Sequence, residues 1–157
     1  MPKNPDTLIQ EKIKILDEIS IWDQREQEWT RAWERRYKRV KTFTAIKNIT
    51  FDATTTTKTS EIFYCEPYSK FAIAIDLDVT LTPTDILFEI FFSDDNIKFY
   101  KLMNGPFGDL RYEDSDGDLK ELIHGECHGT WAQVKATATG TSAANKFTVT
   151  AKLIFSN

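Results

Sequence analysis

Histidine and cysteine are scarce in this sequence, and each scarcity closes off a kind of chemistry. Two histidines among 157 residues leave few candidates for a nucleophile–base pair built on imidazole. The cysteines, Cys65 and Cys127, are also only two, too few for the disulfide framework of a small secreted scaffold. The opening residues, Met1-Pro2-Lys3-Asn4-Pro5-Asp6, lack the apolar stretch of a secretory signal. No apolar run approaches the roughly 18 residues a membrane span needs, and no internal repeat is visible. The expectation is a chain made and folded in a cytoplasm, with no membrane as partner. Net charge is −4, unevenly placed. Residues 1–41 hold ten basic and eight acidic side chains, whereas residues 42–157 hold ten against sixteen. The acidic balance of the larger part argues against nucleic acid as a general partner.

What is present is period. From Thr42 onward apolar and polar residues alternate, the spacing of half-buried strands. Phe71, Ile73, Ile75, Leu77 and Val79 fall on one side of Lys70–Thr80, and Phe147, Val149, Ala151, Leu153 and Phe155 on one side of Lys146–Phe155. Ile86, Phe88, Ile90 and Phe92 form another core face. Ala132, Val134, Ala136 and Ala138 form a thinner one that calls for a bulky neighbour. Further strands are predicted at Phe43–Phe51, Glu61–Cys65, Ile97–Met103, Phe107–Tyr112, Leu119–His124 and Thr130–Thr139, with residues 53–60 as an extended connector. Polar breaks such as Thr82-Pro83-Thr84-Asp85 and Ser93-Asp94-Asp95-Asn96 separate them. Eight or nine short strands with abundant phenylalanine imply an antiparallel β-sandwich or jelly roll over residues 42–157.

The first 41 residues follow a different rhythm. Leu8, Ile15, Trp22 and Trp29 recur every seven residues, with Ile19, Trp33 and Val40 on the alternate seam. Thr7 and Gln10 have capping-box spacing. This predicts one amphipathic α-helix with more apolar surface than a lone helix tolerates in water. Lys12, Glu26 and Arg36 interrupt the seam, so the pattern suits a short bundle or a helix laid on a surface better than a long coiled coil. Ile15, Ile19, Trp22, Trp29 and Trp33 are the candidate contact stripe, because bulky aromatics anchor interfaces. Arg31, Arg35, Arg36 and Arg39 would complement the helix dipole or an acidic partner.

Candidate metal chemistry is thin. Asp114, Asp116 and Asp118 invite a calcium reading, yet Gly117 precedes the third aspartate where an EF-hand loop places glycine after it, and no acidic residue closes the loop. The bland alternative is a solvated acidic turn. His124, Cys127 and His128, with Cys65 approaching in space, are ligand types that suit zinc, but without a recognised spacing. Cys127 and His128 are adjacent, so on a strand they point to opposite faces. No pair of carboxylates stands out for glycoside hydrolysis, and no cofactor is implied.

Residues 76–155 resemble small β-sandwich virion proteins of tailed bacteriophages. The resemblance lies in Asp76-Leu77-Asp78-Val79, Thr82-Pro83-Thr84-Asp85, Phe92-Ser93-Asp94-Asp95 and Gly105-Pro106-Phe107, then Tyr112-Glu113-Asp114, Gly125-Glu126-Cys127-His128-Gly129 with Trp131, and Val134 to Gly140. It covers about half the chain and carries over no catalytic residue. It implies a non-enzymatic virion component, a head decoration (cement) or neck-tail accessory protein. It also implies a homo-oligomer, a trimer above all, docked on the major capsid protein or other virion proteins. The helix lies outside the resemblance. Its role as an assembly arm rests on its own pattern. A carbohydrate-binding sandwich for host adhesion, with or without calcium, is the competing expectation; it requires an exposed aromatic platform away from the helix.

Overall fold

The computed structural model describes residues 40–66 and 68–157. The predicted helix, with its contact stripe Ile15, Ile19, Trp22, Trp29 and Trp33 and its basic set Arg31, Arg35, Arg36 and Arg39, lies outside the described residues. Residues 40–156 form one compact unit. Its strands are β1 (Lys41–Phe51), β2 (Thr57–Thr59), β3 (Phe63–Tyr64), β4 (Lys70–Thr80), β5 (Asp85–Ser93), β6 (Tyr100–Lys101), β7 (Leu110–Glu113), β8 (Leu119–Glu126), β9 (Trp131–Thr139) and β10 (Lys146–Ser156).

Every strand pair is antiparallel, and two sheets result. One runs β1-β10-β4-β8; the other runs β2-β9-β5-β6, with β3 also on β9 and β7 also on β5. When β2 with β3, and β6 with β7, are each taken as one interrupted strand, the first strand pairs with the last, the second with the next to last, and so inward. That is the winding of a jelly roll, a long antiparallel hairpin rolled into two sheets.

The alternation explains the layering. Side chains of period two leave Ile73, Ile75 and Leu77 on the inner face of β4, all buried, while Asp76 and Asp78 face outward. The thin face of β9 meets its bulky neighbours as the sequence requires. Phe88 on β5 stands opposite Ala136, Phe92 opposite Ala132, and Phe63 on β3 opposite Ala132 from the other side. Rings then bridge the sheets: Phe71 and Phe92 lie edge to face at 5.5 Å, and Phe43 and Phe63 sit at 4.9 Å. Each fully buried phenylalanine contributes about 1.5–3 kcal/mol by leaving water.

Four segments depart from the simple strand pattern. In β1 the register slips between Thr44 and Ile46 and again between Ile46 and Ile49. Asn48 takes φ 47° there, and its N–H reaches Thr150 Oγ1 at 3.1 Å. These bulges let both Ile46 and Phe51 face inward despite their odd separation. The threonine-rich connector contains β2, which pairs Thr57–Thr59 with residues 135–137 of β9. The strand expected at Ile97–Met103 shrinks to Tyr100–Lys101. The one expected at Phe107–Tyr112 begins as a 3-10 turn at Gly105–Asp109 and is extended only over Leu110–Glu113. Pro106 at the start of that turn has no N–H to give a ladder and a φ already suited to helical geometry.

Candidate interaction surfaces

Phenylalanine, isoleucine, leucine and valine from both sheets fill the core of the roll in one continuous cluster. Three outer regions of the domain stand out.

The first is the connection from β5 to β7, at the outer end of one sheet. Asp95 organises its start. One carboxylate oxygen accepts the N–H groups of Ile97 and Lys98, both at 2.8 Å, and the hydroxyl of Ser93 at 3.0 Å. Those backbone N–H groups, Lys98 foremost and then Ile97, hold the Asp95 carboxyl below the usual carboxylate range. Asn96 adopts φ 58° at the apex. The turn throws apolar side chains into solvent: Ile97 is 80% exposed, Tyr100 69% and Met103 61%. A single exposed apolar residue is ordinary, and three on one short edge segment make it a candidate contact surface. The sequence showed the apolar residues here but assigned them to a strand, which would have turned every second one inward.

The second is the outer face of the β10-β4-β8 sheet. Lys152, Ala74 and Leu122 lie in one row across the three strands, and Thr150, Asp76 and Lys120 in the next. The small side chain of Ala74 between longer neighbours leaves a trough of about 400 Å³. Lys120 reaches Asp76 at 3.4 Å along its floor, an exposed pair of small energetic weight.

The third is an aromatic pair on the outer side of the other sheet. Tyr64 on β3 is directly opposite Trp131 on β9, with ring centroids 5.1 Å apart and planes at 63°.

The acidic turn behaves as a structural joint. Asp116 accepts the backbone N–H of Glu113 at 2.7 Å, while the Glu113 side chain accepts that of Asp116, a reciprocal cap on a 3-10 turn. Asp118 turns the other way and accepts the N–H of Val79 at 2.7 Å. Asp114 donates its N–H to the Thr84 carbonyl, and Gly117, at φ 66°, closes the turn. Of the calcium candidates Asp114, Asp116 and Asp118, the last two thus turn their carboxylates to different partners, and among the described residues no three metal-ligating side chains converge. The zinc candidates separate likewise. His124 is exposed on β8, His128 sets its ring edge-on to Phe92 at 6.0 Å, and Cys127 packs on the core.

Cys65 and Cys127, by contrast, do come together. Cys65 is buried, Cys127 half-buried, and both are free thiols. Cys65 donates its S–H to the Gly129 carbonyl at 3.0 Å. The neighbouring Cys127 lowers the Cys65 thiol, while Cys65, followed by burial, raises Cys127 above the ordinary thiol range.

No protein-family model matches the chain, and no curated protein matches it. Similar solved structures are those of VP2 of infectious bursal disease virus. The VP2 subviral particle aligns at TM-score 0.49 and 10% identity over 74% of this chain and 32% of that one. The Gt strain aligns at TM-score 0.49 and 10% identity over 76% and 33%. The Gx strain aligns at TM-score 0.47 and 11% identity over 74% and 31%. The chain therefore spans about a third of the length of these viral proteins, none of which belongs to a tailed bacteriophage.

Proposed function

We propose that this protein is a non-enzymatic virion structural protein, a capsid decoration protein of a bacteriophage that self-associates and docks on the particle. The observation that carries the reading is the exposed apolar edge of Ile97, Tyr100 and Met103 on a jelly roll whose core is one continuous apolar cluster. Jelly rolls serve as capsid and lectin domains and as cupins. A cupin-like enzyme needs a lumen with polar ligands, and here phenylalanine occupies that space. The fold alone does not choose among the remaining roles. The apolar edge favours protein contact, and the tryptophan stripe of residues 22–33 supplies a second apolar surface in the sequence. Two modest contacts on one chain, repeated around a symmetric particle, multiply into firm attachment.

The test is occupancy of the particle. Purified particles of the virus that encodes the chain, dissociated and resolved by mass, should contain it in a fixed ratio to the shell protein. Its presence in infected cells but absence from particles would overturn the reading.

The Tyr64–Trp131 pair supports a second reading, carbohydrate recognition on the outer sheet face, since exposed aromatic faces stack on sugar rings. The rings stand at 63° to each other, which offers one face and one edge in place of a flat platform. Glycan binding that disappears in Trp131→Ala while particle occupancy is unchanged would favour this second role.

A further inference from the structure

β8 is the last strand of its sheet and, among the described residues, pairs only with β4, so one side of its backbone is an open edge. Which groups face that edge follows from the register. Cys127 N–H donates to the Ser69 carbonyl at 2.9 Å. From there the ladder runs from Lys70 opposite Glu126 to Leu77 opposite Leu119 without a slip. In an antiparallel ladder, residue pairs that exchange backbone bonds alternate with pairs that do not. Leu119, Glu121, Ile123 and Gly125 therefore give their backbone groups to β4. Lys120, Leu122, His124 and Glu126 aim theirs at the open edge. The side chains of these four lie on the outer sheet face, and all four residues are exposed.

An open edge is a template for another strand, and the sequence of β8 specifies which. Bonds across the edge must join residues whose backbone groups aim outward, so a second β8 laid antiparallel has few registers open to it. With Ile123 opposite Ile123, Lys120 meets Glu126 twice and Leu122 meets His124 twice. A shift one way sets Asp118 against Glu126 and Lys120 against His124. A shift the other way sets Glu126 against Leu122 and His124 against His124. Of these, the first alone opposes unlike charges at both ends, and like charges opposite one another are destabilising.

We propose that the open edge of β8 is an interaction surface for a second copy of this chain, joined antiparallel about a two-fold axis at Ile123. The proposal deepens the self-association proposed above and rests on that reading. The contact is isologous, so each backbone bond and each Lys120–Glu126 pair occurs twice. Lys120 is well exposed and reaches Asp76 at 3.4 Å, and its long side chain can equally meet a carboxylate across the edge. Exposed ion pairs are weak; the charges select the register while the backbone bonds supply attachment. One such edge is a modest contact in dilute solution, and it gains where copies are crowded on a particle.

The experiment is zero-length cross-linking of the concentrated full chain with a carbodiimide, which joins an amine to a carboxylate it already touches. Lys120 and Glu126 are six residues apart on one strand, about 20 Å, so an amide between them joins two copies. A peptide map should contain that linked pair, and chains mixed from light- and heavy-isotope cultures should give it in mixed form. Lys120→Glu and Glu126→Lys each remove one reacting group, and neither alone should give the link. An equal mixture of the two variants should restore it between position 120 of one chain and position 126 of the other. The double exchange in one chain should restore it as well. A map in which Lys120 joins Asp76 of its own chain but never Glu126 would overturn the proposal, as would a mixture of the two variants that stays unlinked. Particle occupancy is measured apart from this, so a missing link with the chain present on particles removes the β8 contact and leaves the virion reading standing.

Discussion

The hydroxyl of Tyr112 on β7 donates to a carboxylate oxygen of Glu121 on β8 at 2.6 Å, which ties one sheet to the other along their open side. Burial, and then this hydrogen bond, push the Tyr112 phenol above its ordinary range, so it stays a donor across the accessible pH range. Tyr112→Phe keeps the ring that packs edge-on against Phe88 at 6.0 Å and deletes only the bond. Because Glu121 is exposed and water can replace the lost donor, the expected cost is about 1 kcal/mol, read as a lower denaturant midpoint with an unchanged slope.

Gly125 occupies the inner face of β8 where two rings meet. A Cβ there would stand 2.6 Å from Phe71 and 2.7 Å from Phe107, inside any tolerable contact. Gly125→Ala should therefore overpack the core and destabilise by about 1–3 kcal/mol. Thermal unfolding checks the loss, and a second substitution, Phe107→Leu, should recover part of it by making room.

Asp85 gathers three strands. It accepts from Thr139 Oγ1 at 2.6 Å and from Arg111 Nη1 at 2.7 Å. Burial alone would raise its carboxyl, but those two hydrogen bonds and the Arg111 charge outweigh burial and hold it below the usual carboxylate range. A carboxyl lowered in the folded state stabilises fully above its unfolded value of about 4, and that share is lost as pH falls through the lower folded value. Asp85→Asn should thus cost about 1.5 kcal/mol at neutral pH, with the difference from the unaltered protein shrinking as unfolding is measured toward pH 2.

The docking surface yields a prediction separable from stability. Ile97 and Tyr100 are solvent-exposed, so Ile97→Ser with Tyr100→Ser should leave the unfolding midpoint within about 0.5 kcal/mol while weakening particle binding at least tenfold. Sedimentation of particles with a labelled full chain measures this, and unchanged binding would remove this edge from the interface.

Trp29→Ala with Trp33→Ala should weaken association between copies and leave the sandwich folded, since the roll closes its core with residues from position 43 onward. Circular dichroism checks the fold, and solution mass checks the association.

Much of this molecule was legible because strand burial imposes a strict period. Lys70–Thr80 was read at its true limits, and the alanine face of β9 announced the phenylalanines that cover it. The parts that were not legible depend on partners distant in sequence. Thr57–Thr59 is a strand only because β9 offers it an edge. Ile97–Met103 has strand-forming residues, yet the carboxylate of Asp95 draws its backbone into a turn and leaves its apolar side chains outside. Asp114, Asp116 and Asp118 are what a cation site would use, but the Asp116 and Asp118 carboxylates are engaged by different stretches of backbone. The approach of Cys65 to Cys127 could be imagined from composition. The β4–β8 register sets Cys127 opposite Ser69, while β3 leaves Cys65 bonded to the Thr130 carbonyl of the other sheet.

Copies of this chain are expected to join through the tryptophan stripe of residues 22–33. Light scattering of the full chain across a wide concentration range tests it most directly. A discrete oligomer is expected, with a trimer the favoured mass, that dissociates when Trp29 and Trp33 are replaced and persists when Ile97 and Tyr100 are. A monomer at every concentration, or an oligomer of unaltered mass after the tryptophan substitutions, would contradict it.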